Sequence, residues 1–505
     1  MCGLCGILGP SVDGRAELLK RMTSALAHRG PDESGTWCRG PVALGHRRLS
    51  IIDVADGHQP MTTPDGAVTL VFNGEVYNHR ELRRQLEHDG YTFATQCDTE
   101  AVLHLVHRDG AEAVAQLDGM FALAVWDSRS GHLLLARDRL GQKPLVYTRR
   151  GDTVYFASEL QSLACAPIGR TLDADALDEY LALGYVNAPR TIWHDVHKLP
   201  PGHLAVVRPG EAVEPTRYWS VQDEAARYRG VHLQEVLEEL DRVLDEAVRR
   251  RLMSDVPLGA FLSGGIDSGL VVALMARHSP VPVKTFSIGF AERRYTELDL
   301  ARRVARRWGT EHHEFIVEPD CLQVARQLVG HFGEPFADSS LIPTWYVSRQ
   351  TRRHVTVALS GDGGDELFGG YERYAAMQLA RRLRRLGVAG LLGSPAVLKV
   401  VGTGRGKSRR RSLARFLSSL SMSPAERYIA YMTIVDRSRR RRLLRPELQQ
   451  QVDDGTAGLA RLLGREPAGR EIGRMGRVDL SSYLPGDLLA KADICGMSVG
   501  LEVRS

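Results

Sequence analysis

A cysteine stands at the second position of the chain, where removal of Met1 makes it the N-terminal residue. An α-amino group titrates near ~8, so it can take the proton of the Cys2 thiol directly or through one water. We therefore predict a nucleophile that needs no separate histidine. The alternative is that Cys2 is simply a small residue near the start of the chain. Cys5 forms a Cys-x-x-Cys pair with Cys2, but no second pair follows at zinc spacing, so we predict that Cys5 is a small buried residue.

The same half of the chain carries groups that suit an amino-acid amide as substrate. Arg48 offers a guanidinium fork for an α-carboxylate. Asn73 and Gly74 follow an apolar run, and a side-chain amide with a backbone N–H can bind the oxyanion of a tetrahedral intermediate. Glu75 and Asp98 supply acceptors for an α-ammonium group. Asn-Gly is also a common turn, and Asp98 is also a helix cap, so each residue alone leaves both readings open.

A second chemical motif is Ser263-Gly264-Gly265-Ile266-Asp267-Ser268, which lies between an apolar strand and a helical run. Glycines free backbone N–H groups to face an anion at a helix N-terminus, and the two serines add hydroxyl donors. The motif lacks the lysine of a kinase-type phosphate loop. We predict that it binds phosphate, with a plain glycine turn as the alternative.

A third motif, Ser360-Gly361-Asp362-Gly363-Gly364-Asp365-Glu366, places three carboxylates on a flexible backbone. Crowded carboxylates favour a cation, and Mg²⁺ is the ion that usually accompanies nucleotide phosphates. The sequence therefore predicts a magnesium site, with a solvated acidic loop as the alternative.

The elements that position these motifs differ between the two halves. Short β-rich runs and two amphipathic helices, near 15–26 and 80–88, fill the first half up to about Leu204 and predict layered sheets with helices. A strong amphipathic helix begins at Leu233, and after it continuous apolar strands end in glycine-rich loops, which predicts a parallel α/β sheet. We place the domains at 2–205 and 233–505, with a linker over 206–232.

Several motifs of the first half resemble those of the class II glutaminases with an N-terminal nucleophile. They are Cys2-Gly3, Arg48-Leu49-Ser50-Ile51-Ile52-Asp53, Asn73-Gly74-Glu75-Val76-Tyr77-Asn78 and Asp98-Thr99-Glu100. The resemblance implies an αββα sandwich in which Cys2 attacks glutamine and Asn73 and Gly74 hold the oxyanion. It also implies a glutamine site formed by Arg48, Leu49, Ser50, Ile51, Ile52, Asn73, Gly74, Glu75 and Asp98.

The second half resembles the N-type ATP pyrophosphatases, and the order of both halves is similar to that of the glutamine-hydrolysing asparagine synthetases. The resemblance implies that ATP and aspartate give a β-aspartyl adenylate, which ammonia from the first domain attacks. It implies that Asp267 and Asp365 bind Mg²⁺, that Asp362 takes part in adenylate formation, and that ATP is bound by Leu262, Ser263, Gly264, Gly265, Asp267, Ser268, Ile288, Ser360 and Gly361.

The sequence departs from this family at two places. Ile494 stands where relatives carry Lys or Arg after an Asp, so we assign the cation near the departing pyrophosphate to Lys491. The chain ends at Ser505 where relatives continue, and we expect an incomplete synthetase domain with impaired activity beside an active glutaminase. A relative that amidates another carboxylate, such as a peptide, sugar acid or secondary-metabolite precursor, and a regulatory protein that keeps the fold remain alternatives.

Composition restricts the partners. The 66 Lys plus Arg nearly balance the 61 Asp plus Glu, and no run of ~18 apolar residues or signal peptide is present. We expect a cytoplasmic enzyme that binds glutamine, aspartate and ATP, without a nucleic-acid or membrane partner; the sequence leaves a homodimer open. The arginine-rich region 379–445 is interpreted as a solvated helical face.

Overall fold

The computed structural model describes residues 2–10, 14–221, 232–290, 297–318, 320–401, 409–466 and 471–505. The predicted linker over 206–232 therefore lies partly outside the described residues. The chain forms two compact units. The first unit contains the described residues up to Leu172, Asn187–Asp362 and Pro485–Ser505, and the second contains Asp173–Val186 and Gly363–Leu484.

All strands in the described residues belong to the first unit. They are β1 Gly3–Leu8, β2 Glu33–Arg39, β3 Val42–Arg48, β4 Met61–Thr62, β5 Val68–Val76, β6 Gly119–Asp127, β7 His132–Arg137, β8 Val146–Arg150, β9 Thr153–Ala157, β10 Val196–Lys198, β11 His203–Val207, β12 Thr216–Arg217, β13 Leu258–Phe261, β14 Lys284–Phe290, β15 Glu311–Val317, β16 Val357–Leu359 and β17 Glu502–Arg504.

The helices of the first unit lie between these strands and around them. They are Arg15–Ser24, His79–His88, Asp98–Asp109, Ala113–Gln116, Leu160–Leu163, Leu233–Arg251, Ile266–His278, Leu298–Trp308, Cys321–Phe332, Leu341–Thr351 and Leu489–Met497, with a 3-10 turn at Gly110–Glu112 and a π-helical turn at Leu484–Leu488 before the last helix.

Two antiparallel six-stranded sheets form the first half of this unit, in the orders β10-β8-β9-β1-β3-β2 and β12-β11-β7-β6-β5-β4. Alternation along the strands separates their faces. Leu4 of β1 and Val71 of β5 pack in one apolar cluster between the sheets. Cys5 packs against the helix Arg15–Ser24, and Phe72 against the helix Asp98–Asp109. The layers are helix, sheet, sheet and helix, so the predicted αββα sandwich is confirmed, and so is the buried position of Cys5.

The third sheet is parallel and has the order β15-β14-β13-β16-β17. Ala260 and Leu359 on one face pack in a cluster with three helices, Leu233–Arg251, Ile266–His278 and Leu298–Trp308. Ala358 on the other face packs with Leu341–Thr351 and Leu489–Met497. The predicted parallel α/β sheet, covered on both faces, is confirmed. The order reverses at β13, because β14 and β15 extend to one side of it and β16 lies on the other.

The described part of the second unit is helical. Its helices are Ala174–Leu183, Gly364–Phe368, Glu372–Arg385, Ala389–Leu392, Pro395–Val401, Arg409–Ser419, Pro424–Met432, Arg437–Leu443, Pro446–Gln449, Ala457–Arg465 and Glu471–Ser481. The prediction of a solvated arginine face is wrong for Arg440, which is buried and pairs with Asp178 and Asp454, each at 2.8 Å. A fully buried guanidinium requires such partners.

No helix in the described ranges combines the length and the hydropathy that crossing a lipid bilayer requires.

Candidate active sites

Cys2 lies directly before β1, and Asn73 lies on the face of β5 that points between the sheets. The backbone N–H of Cys2 donates to Asn73 Oδ1 at 3.0 Å. Asn73 is fully buried, and its Nδ2 has no hydrogen-bond partner among the residues described. A buried amide N–H without an acceptor is costly in a folded protein. The arrangement therefore holds a donor ready for an oxygen that arrives beside Cys2.

A second donor comes from the backbone of β5. On the edge of β5 away from β6, the N–H of Phe72 donates to Gln59 Oε1 at 2.7 Å and the N–H of Val76 to Asp98 Oδ2 at 2.8 Å. The N–H of Gly74 points to the same edge, because alternate residues of a strand direct their N–H groups alike. Glycine is required here, since a Cβ would lie 2.1 Å from the carbonyl oxygen of Met120.

Arg48 closes the other side of this region. Its buried guanidinium donates to the carbonyl oxygen of Asp53 at 2.6 Å and to that of Ile52 at 3.3 Å, which folds the chain after β3 around it. A Cβ at Gly57 would lie 2.3 Å from Arg48 Nη2. Ser50 is held from the opposite side, because its backbone N–H donates to Asp32 Oδ2 at 2.8 Å.

Two carboxyl groups, Glu75 and Asp98, are buried beside these donors. Burial raises the pKa of Glu75 well above its ordinary value, and the negative charges of Glu502 and Asp98 add to the rise. Burial also raises the pKa of Asp98, although the charge of His79 opposes it. A cation placed between the two groups would favour their ionised forms.

Most of these residues line one narrow cavity. The predicted site residues around it are Cys2, Arg48, Leu49, Ile51, Ile52, Gly74, Glu75 and Asp98. Asn73 and Ser50 are not among its lining residues. Gln59 lines the cavity as well and was missed, because it belongs to no recognisable motif. Its Nε2 donates at 3.3 Å to Oγ1 of Thr99, which also lines the cavity and belongs to the motif Asp98-Thr99-Glu100 without having been predicted as a site residue.

The environment of Cys2 favours its neutral thiol. Burial raises the pKa of the thiol, and the charge of the N-terminus, a hydrogen bond from the backbone of Leu49 and the charge of Arg48 oppose the rise without cancelling it. A protonated thiol needs a base before it can act as a nucleophile. The predicted base is the α-amino group of Cys2 itself.

The predicted phosphate loop lies where β13 ends and the helix Ile266–His278 begins. Ser263 Oγ and Ser268 Oγ are 2.9 Å apart, and the backbone N–H of Gly265 donates to Ser263 Oγ at 3.2 Å. Gly264 has φ +85°, and a Cβ there would lie 2.6 Å from the backbone of Ala301. The serine hydroxyls therefore face each other across the start of the helix, where the helix dipole favours an anion.

The predicted acidic loop begins where β16 ends, next to the phosphate loop. A Cβ at Gly361 would lie 2.8 Å from the backbone nitrogen of Ser268 and 3.1 Å from Asp267, so the two loops touch at this glycine. Ser360 Oγ donates to Asp362 Oδ2 at 2.8 Å. Because β13 and β16 lie on opposite sides of the reversal in strand order, this is the crevice where open α/β sheets bind ligands.

The remaining predicted nucleotide and metal residues lie in different elements. Leu262 follows β13 and is buried, and Ile288 lies in β14. Asp267 lies in the first turn of its helix, whereas Asp365 belongs to the second unit, in the helix Gly364–Phe368.

Lys491 is buried in the last helix of the first unit. Its ammonium group donates to Asp338 and, at 2.7 Å, to Ser340 Oγ. Burial lowers its pKa, but the charges of Asp338 and Asp487 outweigh burial and the pKa is raised. Lys491 is therefore a charged lysine, and the charge of Asp362 adds to the rise.

The neighbours of Lys491 in sequence face elsewhere. Ile494 is buried in an apolar cluster with Trp345 and Leu328, so no basic residue fits at that place without burying a charge in the cluster. Asp493 instead pairs with Arg29 at 2.8 Å and with Lys143 at 3.2 Å, both fully buried. Sequence reasoning missed this ion-pair group, because its members lie far apart along the chain.

Another missed residue is Arg504 in β17. Its guanidinium lies 3.6 Å from Glu75 Oε1 in the narrow cavity, and its carbonyl oxygen accepts the backbone N–H of Ser360 at 2.8 Å. One residue thus contacts both candidate sites.

Comparison with known proteins gives a family for each half of the chain. Residues 1–219 match the family model described as a glutamine amidotransferase domain, and residues 239–505 match the model described as asparagine synthase. The chain is 36% identical to the glutamine-hydrolysing asparagine synthetase 1 of Bacillus subtilis, over 100% of this chain and 79% of the relative. It is 37% identical to a protein of Mycobacterium bovis named as a putative glutamine-hydrolysing asparagine synthetase, again over 100% of this chain and 79% of the relative.

Alignments with solved structures have low sequence identities and low TM-scores. A glutamine phosphoribosylpyrophosphate amidotransferase from B. subtilis is 15% identical, with a TM-score of 0.33, over 72% of this chain and 82% of that chain.

Proposed function

Because the chain belongs to the family of the glutamine-hydrolysing asparagine synthetases, we propose that it transfers the amide nitrogen of glutamine to the side-chain carboxylate of aspartate, using ATP. We assign glutamine hydrolysis to residues 2–205 and aspartate activation to residues 233–505, with a linker over 206–232. Both reactions use soluble metabolites and ATP, so we place the enzyme in the cytoplasm.

The first reaction takes place at Cys2. Its α-amino group accepts the thiol proton, the sulfur attacks the side-chain amide carbon of glutamine, and the carbonyl oxygen becomes an oxyanion. Asn73 Nδ2 and the N–H of Gly74 donate to that oxyanion. The departing nitrogen takes the proton and leaves as ammonia, and water then hydrolyses the thioester to release glutamate.

The rest of the cavity positions glutamine. We assign its α-carboxylate to Arg48 and its α-ammonium to Glu75 and Asp98. Burial raises the pKa of both carboxyl groups, and a bound ammonium group would favour their ionised forms. Leu49, Ser50, Ile51 and Ile52 would contact the substrate through the chain that folds around Arg48.

The second reaction takes place in the crevice beside β13 and β16. A carboxylate resists attack by an amine, so the aspartate side chain first attacks the α-phosphorus of ATP, which forms β-aspartyl adenylate and releases pyrophosphate. Ammonia then attacks the acyl carbon, and AMP leaves. We assign pyrophosphate to the loop from Ser263 to Ser268 and the nucleotide to Leu262, Ile288, Ser360 and Gly361.

Charged side chains complete this second assignment. Lys491 would face the departing pyrophosphate, and Asp362 would act in adenylate formation. The carboxylates of Asp267 and Asp365 suit Mg²⁺, and the close approach of Gly361 leaves room beside Asp267 that a side chain would fill. When bound, Mg²⁺ neutralises negative charge on the phosphates.

The observation that carries the proposal is the amide nitrogen of Asn73 beside Cys2, which has no hydrogen-bond partner among the described residues, in a chain whose second half brings two glycine loops into contact. The test is a screen of carboxylate acceptors by pyrophosphate release, with glutamine and ATP present. We expect release with aspartate and little with sugar acids or peptides. Release with a different acceptor, and none with aspartate, would favour the alternative amidotransferase.

A further inference from the structure

A group of buried and half-buried side chains lies near the loop from Ser360 to Asp362. We call it the acid–lysine cluster and define it by Asp338, Ser340, Asp487 and Lys491. The ammonium group of Lys491 donates to Asp338 and to Ser340 Oγ, and Ser340 Oγ donates to Asp338 Oδ2 at 2.8 Å. The lysine and one carboxylate are thus already satisfied by each other.

Asp487 is the member that this internal pairing does not explain. Its residue surface is 7% exposed, and its Oδ1 has no hydrogen-bond partner among the residues described. Burial and the nearby charge of Asp338 together raise its pKa to about 8, although the charge of Lys491 opposes them. A second buried carboxyl group beside one lysine costs stability unless another cation arrives.

The same arrangement occurs once more in the first unit, around the narrow cavity at Cys2. There Glu75 and Asp98 are buried together, burial and neighbouring carboxylates raise the pKa of Glu75, and its Oε2 also lacks a hydrogen-bond partner in the described ranges. That pair is the one we assign to the α-ammonium of glutamine. The acid–lysine cluster likewise holds two neighbouring carboxyl groups, one of which is buried and has a raised pKa and an oxygen without a hydrogen-bond partner in the described ranges.

The location of the cluster links it to the acceptor of the second reaction. Asp338 precedes the helix Leu341–Thr351, and Asp487 precedes the helix Leu489–Met497; both helices cover the parallel sheet on one face. The charge of Asp362, in the loop after β16, acts on Lys491. A small molecule whose carboxylate is activated at this loop would therefore place its other end beside the cluster.

We propose that Asp487, with Asp338 beside it, binds the α-ammonium group of the acceptor, so that the second site selects an amino acid over a carboxylate without an amine. The inference rests on the proposed function and deepens it, because it names the group by which aspartate is distinguished from a sugar acid or a simple dicarboxylate. Asp487 is a specificity-determining residue that takes no part in the bond changes.

The test is equilibrium binding to the full chain by calorimetry, with a non-hydrolysable ATP analogue and Mg²⁺ present. L-aspartate and succinate are compared, since succinate lacks only the amine. We expect succinate to bind at least ~30-fold more weakly than aspartate, as for loss of a buried charged hydrogen bond. In Asp487→Asn we expect the affinity for aspartate to fall by a similar factor and the affinity for succinate to change little.

Two further proteins separate binding from folding. Asp299→Asn, which changes an exposed aspartate of the helix Leu298–Trp308, should bind both ligands as the unchanged protein does. Thermal unfolding of Asp487→Asn, compared with that of the unchanged protein, reports whether the variant has folded; glutaminase activity would not, because we assign it to residues 2–205. If Asp487→Asn does not fold, the comparison of aspartate with succinate in the unchanged protein still decides whether the second site recognises the amine of the acceptor.

Equal binding of succinate and aspartate, unchanged aspartate binding in Asp487→Asn, or no binding of either ligand would overturn the inference. Failure of the proposed function alone would give another result: aspartate would bind, Asp487→Asn would weaken that binding, and addition of aspartate would release no pyrophosphate.

Discussion

The side-chain amide oxygen of Asn73 accepts a hydrogen bond from the backbone N–H of Cys2 at 3.0 Å. This bond fixes the orientation of the amide, whose buried nitrogen then has no acceptor among the described residues. The two residues are 71 positions apart in sequence and meet because β1 and β5 belong to sheets that pack face to face. A nucleophile and an oxyanion donor are thus brought together by the sandwich itself.

Replacing Asn73 tests the oxyanion role. In Asn73→Ala we expect the kcat of glutamine hydrolysis to fall about 10²–10³-fold with a smaller change in KM, because the donor acts mainly on the transition state. Synthesis from added ammonia should persist in the same preparation. A loss confined to KM, or a loss of ammonia-dependent synthesis as well, would contradict the assignment.

Gly74→Ala tests the close approach of β5 and β6. A Cβ would lie 2.1 Å from the carbonyl oxygen of Met120, so we expect thermal unfolding to show a loss of at least ~2 kcal/mol, typical of overpacking. Gly330→Ala is the matched control, because it lies in the helix Cys321–Phe332 with no neighbour near its Cβ. There we expect no loss, or a gain of up to ~1 kcal/mol from helix propensity. Equal behaviour of the two variants would refute the steric argument.

The raised pKa values of Glu75 and Asp98 predict the acid limb of glutaminase activity. The glutamine ammonium requires ionised carboxylates, so kcat/KM for glutamine should fall on acidification at a pH above the ordinary value of 4.5 for a Glu. Because the charge of Arg504 lowers the pKa of Glu75, Arg504→Met should move the limb to higher pH. Arg504→Lys keeps the charge and serves as the control. A limb that stays in place in Arg504→Met would exclude this coupling.

Glu159 predicts a pH dependence of stability. Burial raises its pKa, but the charge of Arg29 and a hydrogen bond with His28 outweigh burial and lower the pKa to about 2. A lowered folded-state pKa means that this stabilisation is complete above about 4.5 and is lost as the pH falls from 4.5 towards 2. Urea unfolding across that range measures it.

The corresponding variant is Glu159→Gln, which leaves the buried guanidinium of Arg29 with one carboxylate partner, Asp493. We expect a loss of about 3–5 kcal/mol at pH 7, as for breaking a buried ion pair. Glu239→Gln removes an exposed pair with Arg242 and should leave the unfolding midpoint unchanged. Similar midpoints for both variants would show that Glu159 does not stabilise the fold.

Much of the fold follows from local patterns in the sequence. The helix from Leu233 and the apolar strands before Ser263 and Ser360 have a clear period or composition, and the structure contains them. The short strand β17 was not predicted, because three residues of mixed character carry no period. Its place in the sheet depends on pairing with β16, which only the tertiary structure provides.

The candidate sites divide in the same way. Cys2, Arg48, Gly74 and Glu75 belong to motifs and were predicted, and they line one cavity. Gln59 was not predicted, because its position beside the cavity depends on a hydrogen bond that its Oε1 accepts from the backbone N–H of Phe72, 13 residues later in the chain. The pairing of Asp493 with Arg29 joins positions that lie more than 450 residues apart, a distance at which a single sequence carries no pairing signal.

The most direct test of the account follows the nitrogen atom. Glutamine labelled with ¹⁵N in its side-chain amide is supplied with ATP, Mg²⁺, aspartate and unlabelled ammonium, and the asparagine formed is analysed by mass spectrometry. We predict labelled asparagine from the unchanged protein, and from Cys2→Ala only unlabelled asparagine at an undiminished rate from ammonium. Labelled product from Cys2→Ala, or no asparagine from either protein, would contradict the account.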